Sequence, residues 1–185
     1  MQSVRVDTVD LPLKTTWGKY FSEHSYLELS ALATAPIRPA TLSKWKAAFP
    51  AQAVGLVAPW PLTARKSPSN ARGWTADPAG GEFANSPAAR TVVGEFSRLA
   101  QELSACAVVF PSPPQLSPSA ANRDRLRAFF AEVATVERFV DMQRVWIPGG
   151  LWDPLTACKF AAEIGITAAI DPLINTAAMF RERHP

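Results

Sequence analysis

A chain of 185 residues, 48% apolar and 19% charged, is long enough to bury one substantial core and too apolar to stay disordered. No apolar run reaches the roughly 18 residues that span a bilayer, and no basic segment precedes an apolar one at the start, so neither a membrane span nor a secretory signal is expected. The net charge of +3 comes from lysines and arginines scattered along the chain, whereas a nucleic-acid footprint is a dense basic stripe, so nucleic acid is a weakly supported partner.

The first strand is expected at 3–8, followed by Asp10 in the turn. The second, at 25–30, alternates Tyr26, Glu28 and Ser30 with Leu27 and Leu29. A short helix at 41–49 leads to a third strand at 53–58. Residues 59–86 are irregular, rich in proline and glycine, and carry Arg65, Lys66, Arg72 and Trp74. Ser86-Pro87 opens a helix at 88–103, and a strand follows at 106–110. Ser117-Pro118 opens a helix at 119–133, and the fifth strand lies at 144–147. Asp153-Pro154 opens a helix at 155–164, which Gly165 ends before a strand at 166–170. Asp171-Pro172 repeats the pairing before a last helix at 173–181.

Strand alternating with helix predicts βαβ crossovers and a parallel sheet in one α/β domain, 1–185. An open doubly wound sheet is the alternative. The turn after the first strand has no glycine, which argues against a dinucleotide fingerprint, and Gly80-Gly81 lacks the ending of a phosphate loop. Cys106 and Cys158 stand far apart in apolar settings, as two buried thiols of a cytoplasmic protein would.

Several segments carry a family pattern. Tyr26-Leu-Glu-Leu-Ser and Pro39-Ala-Thr-Leu-Ser-Lys-Trp45 form a strand and its helix. Val54-Gly-Leu-Val-Ala-Pro59 is a strand ending in proline. Val108-Val-Phe-Pro-Ser-Pro-Pro114 precedes a helix at 122–130, and Val145-Trp-Ile-Pro-Gly-Gly-Leu-Trp152 closes the set. Together they resemble the YecE-like family (domain of unknown function 72), whose members are TIM barrels. The resemblance implies an incomplete TIM-like (β/α) barrel here, with about six parallel strands and outer helices. It also implies that most of the family's strand-end polar groups are replaced: Ser30 stands for an asparagine, Val57 for a lysine, Ala64 for a histidine and Pro111 for a glutamine. Trp146 and Pro148 stand for a glutamate and an arginine. Six strands leave open edges, so a second copy or a partner chain is expected to cover the gap between 4–8 and 166–170.

Glu28 is the catalytic candidate, pointing inward if Leu27 and Leu29 meet the helices. The alternative is a buried ion pair, with Arg5 as its mate. Binding candidates are Asp10, Ser30 and Asp171 at strand ends, Arg65 in the irregular loop, and Trp152 after the fifth strand. Against these stand a turn, a helix cap, a solvated loop and rim packing. His24 and His184 have no second ligand at metal spacing, so no metal site is expected, and no cofactor is indicated. Two functions remain open. One is a non-catalytic binding or interaction module. The other is an enzyme with an altered hydrolase-like or phosphoester-directed site at the strand ends, and the sequence names no substrate for it.

Overall fold

A computed structural model describes residues 9–76 and 81–171. Its elements run α1 (Trp17–Glu23), β1 (Leu27–Leu29), α2 (Ala31–Thr34), α3 (Pro39–Ala48), β2 (Val54–Val57), α4 (Trp60–Thr63) and α5 (Pro87–Glu102). They continue β3 (Ala107–Pro111), α6 (Ala120–Ala128), β4 (Gln143–Ile147), α7 (Pro154–Glu163) and β5 (Thr167–Ala168). A π-helical turn, Phe129–Val133, extends α6, and a 3₁₀ turn, Val136–Phe139, leads into β4. The predicted strand at 3–8 and helix at 173–181 lie outside the described residues, as does Arg5.

Short oxygen side chains set the helix starts. Ser86 accepts from the Ala89 N–H, and Asp153 from the Thr156 N–H, with proline next in each case. The predicted Ser117-Pro118 start is displaced: Ser119 caps α6 through the Asn122 N–H, and Pro118 lies before the cap. Gly165, at φ 70°, ends α7 in a Schellman motif, with Gly165 N–H on the Ala162 carbonyl and Ile166 N–H on Ala161. Ser104, at φ 48°, does the same for α5 without a glycine. Cys158 is exposed on α7 and Cys106 is half-buried, so the expected pair of buried thiols is not found. No helix among the described residues is long and apolar enough to cross a membrane.

The five strands are parallel and lie in the order β1-β2-β3-β4-β5. That order never reverses, so the switch point of a doubly wound sheet is absent among these strands. Leu29, Leu56, Val108 and Arg144 share one row, and Phe110 and Trp146 the next row on the same face. The helices cover this face. Phe110 is fully buried, with ring centroids 5.4–6.1 Å from Phe96 of α5, Phe129 and Phe130 of the π turn, and Phe139. Trp146 meets Trp152 and Phe160 in the same way.

Arg144 is the one charged residue in that apolar row. Its guanidinium donates to the carbonyls of Phe130, Ala134 and Gly165 at 2.9–3.1 Å. The Phe130 and Ala134 carbonyls stand at the irregular end of α6, and Gly165 follows α7. Burial pushes the Arg144 pKa down, yet a guanidinium stays charged.

Phe110 touches rings from three separate segments. Phe110→Ala is expected to lower stability by about 3–5 kcal/mol through lost burial and a residual cavity, measured by urea unfolding. A loss under about 1 kcal/mol would mean the cluster collapses around the gap.

Candidate functional site

In parallel α/β sheets, functional groups gather at the C-terminal strand ends. Two polar clusters lie there, one beyond β1 and one where the loops after β2 and β3 meet.

At the first, Val9 forms a parallel bridge to Glu28 alongside β1, and the Asp10 N–H donates to the Glu28 carbonyl at 2.7 Å. Asp10 then adopts φ 59°, a left-handed conformation that aspartate tolerates better than most residues. Its Oδ1 accepts the Ser30 N–H at 2.8 Å, and its Oδ2 accepts the Ser30 hydroxyl. Ser30 occupies the cap position of α2 but does not cap it; its hydroxyl is directed to Asp10. Two residues singled out twenty positions apart in the sequence are therefore joined.

Glu28 lies on the face away from Leu27 and Leu29, is half-buried, and sits beside Gly55 in register. A Cβ at Gly55 would fall 1.9 Å from the Tyr26 Oη, so only glycine leaves room for that ring. The mate expected for Glu28, Arg5, is not among the described residues.

The second cluster centres on Glu82, which the sequence reading passed over. Gly81, Glu82 and Phe83 have φ of 74°, 49° and 64°. A side chain at Gly81 would fall 2.6 Å from the Ala64 carbonyl, so the loop backbones are pressed together beside Arg65. Phe83 is fully buried against Phe129 and Phe130, and its N–H donates to the Leu62 carbonyl at 2.8 Å. These contacts hold two non-glycine residues in a strained region costing on the order of 1–3 kcal/mol each. Glu82 is thereby aimed at Arg65, whose Nε lies 2.9 Å from Oε2. The Arg125 Nη1 of α6 lies 3.5 Å from the same oxygen, and the Gln115 amide donates to Oε1 at 3.5 Å. The Glu82 side chain is 11% exposed, Arg65 63% and Arg125 33%. An acid next to Gly80-Gly81, in a loop that also carries Arg65, Lys66 and Arg72, was the one available signal.

The remaining candidates are dispersed. Trp152 is buried against Trp146 and Phe160, with the Arg123 guanidinium 5.4 Å from its ring centroid. Asp171 is exposed just beyond β5, and the helix it was expected to cap is outside the described residues. Trp74 donates its indole N–H to the Leu32 carbonyl at 2.8 Å and packs on the core rather than standing out as a stacking platform. Among the described residues, no three His, Cys, Asp or Glu side chains come together as a metal set.

Neither a family model nor a curated protein matches the chain. Its fold is similar to the crystal structure of a DUF72 family protein from Enterococcus faecalis, with a TM-score of 0.61 and 11% identity. The likeness covers 89% of this chain and 59% of that one, so the chain spans about three fifths of its neighbour's length. At that identity the match shows the fold alone: an α/β chain with a parallel five-stranded sheet and flanking helices.

Glu82→Gln leaves two guanidiniums on a neutral amide. The expected loss is about 2 kcal/mol, below the 3–5 typical of a fully buried pair because Arg65 is largely solvated. Chemical denaturation at pH 7 measures it; an unchanged midpoint would show the cluster to be energetically idle.

Proposed function

We propose that this chain is a YecE-like, incomplete (β/α) barrel that works as a non-catalytic binding or interaction module through its C-terminal strand ends. The unreversed strand order, with helices packed on the Phe110 face, supports the barrel layout. The binding role is carried by one observation: the acids at the strand ends are engaged by neighbouring groups. Both Asp10 oxygens accept from Ser30, and Glu82 holds Arg65 and Arg125. Such pairs fix loops in place, whereas a general base must reach a substrate proton. Asp10, Ser30 and Arg65 then form the rim of the binding end, with Trp152 behind it as packing and Asp171 at its far side.

A second reading, a hydrolase-like enzyme, draws on Glu28, a half-buried carboxyl on the sheet face opposite Leu27 and Leu29. Phosphomonoesters, phosphodiesters and glycosides incubated with the full chain separate the two. The module reading expects no turnover above blank, with Glu28→Gln altering thermal stability only. Turnover that disappears in Glu28→Gln would establish the enzyme instead.

The interaction role extends to the sheet. Among the described residues β5 pairs with β4 alone, and a strand with one paired side is a template for another chain. Concentration-dependent association in sedimentation at micromolar protein is expected, with a second copy or a partner strand along β5. A concentration-independent monomer rules this out.

A further inference from the structure

We infer that Arg65 and Arg125, gathered on Glu82, form a binding site for a phosphate monoester. The inference rests on reading the strand ends as a binding site and names the ligand class for it.

Charge is the first consideration. One carboxylate oxygen, Glu82 Oε2, is approached by the Arg65 Nε at 2.9 Å and the Arg125 Nη1 at 3.5 Å. Two cations held on one anion leave a net positive charge, and each guanidinium disfavours the other. An arriving anion relieves that repulsion. The same two groups placed apart on the surface would not need it.

Geometry is the second. A guanidinium has five N–H donors in a rigid fork. Arg65 meets Glu82 through Nε, and its side chain is 63% exposed, so the donors of its two terminal nitrogens remain to be offered to a ligand. Arg125 meets Glu82 through Nη1 at the outer limit of a hydrogen bond, which leaves Nε and Nη2 for a ligand. Gln115 adds an amide, also at 3.5 Å and on an exposed residue. These donors come from three chain segments, yet they share one buried anchor. Planar forks of this kind match a tetrahedral phosphoryl group.

Rigidity is the third. Glu82 is anchored by its neighbours: Gly81 is pressed on the Ala64 carbonyl, and Phe83 is locked in the aromatic core. Backbone strain at Glu82 and Phe83 is retained where a freely variable loop would relax it. The donors are thus largely positioned before any ligand arrives. The compactness of the cluster favours a terminal phosphate dianion over a nucleic-acid backbone, which needs a longer basic track.

Inorganic phosphate titrated into the full chain, at ionic strength held constant with chloride, tests the site through ³¹P line width. Saturable binding is expected. Arg65→Lys and Arg125→Lys keep a cation near Glu82 but remove the fork, and each should weaken binding about tenfold while lowering the phosphate-free Tm less than Glu82→Gln does. A wild-type response no larger than that of chloride would overturn the inference. So would lysine variants that bind phosphate like the wild type, or a single-stranded oligonucleotide that binds more tightly than phosphate. Hydrolysis of p-nitrophenyl phosphate at the site would sink the non-catalytic reading while the phosphate contact stood. Absent phosphate binding, with another ligand protecting the strand-end loops from hydrogen exchange, would sink this inference and leave the module reading intact.

Discussion

The structure depends on the packing of helices against one face of a parallel sheet, and Phe110 is where that packing converges. It sits on the central strand, β3, and meets rings from α5, the π turn and the 3₁₀ turn. Edge-to-face contacts of this kind add to simple burial and fix how each segment is rotated. The π turn follows from the same demand. An extra residue in the turn brings Phe129 and Phe130 together onto Phe110 and Phe83, ring to ring. Arg144 then satisfies the carbonyls that this irregular ending exposes.

With the strands parallel and in chain order, the loops at their C-terminal ends become neighbours. The polar groups found there act between loops rather than within them. Asp10 ties the segment before α1 to the end of β1, and Glu82 ties the loop after α4 to the loop after β3 and to α6. Gly149 is tied in sterically: a Cβ there would fall 2.5 Å from the Pro113 carbonyl. The C-terminal end of the sheet is thus a set of mutually braced loops on a fixed floor. Such bracing suits recognition, because little order has to be imposed when a ligand arrives.

The strain at Glu82 and Phe83 belongs to this bracing. Two side chains of opposite character, adjacent in sequence, must go opposite ways: Phe83 into the core, Glu82 toward two arginines. A relaxed extended backbone could separate them too, but here Gly81 is pressed on Ala64 and both residues that follow take left-handed φ. Core burial on one side and charge pairing on the other hold the pair in a conformation neither would choose alone.

The sequence by itself determined the alternation of strand and helix, the burial of Leu27 and Leu29 against Glu28, the caps at Ser86 and Asp153, and the turn at Gly165. These are local: a two-residue period, a short oxygen side chain, a glycine at positive φ. It could also mark Asp10, Ser30 and Arg65 as polar residues near strand ends. Only the tertiary structure decided their partners, because the bonds run between Asp10 and Ser30, and between Arg65, Glu82 and Arg125, across intervening elements. Glu82 itself carried only the signal of an acid beside Gly80-Gly81 in a basic loop. Nothing in its neighbours specifies a left-handed backbone at a glutamate; that conformation exists because Phe83 has a core to enter and two guanidiniums lie where Glu82 emerges.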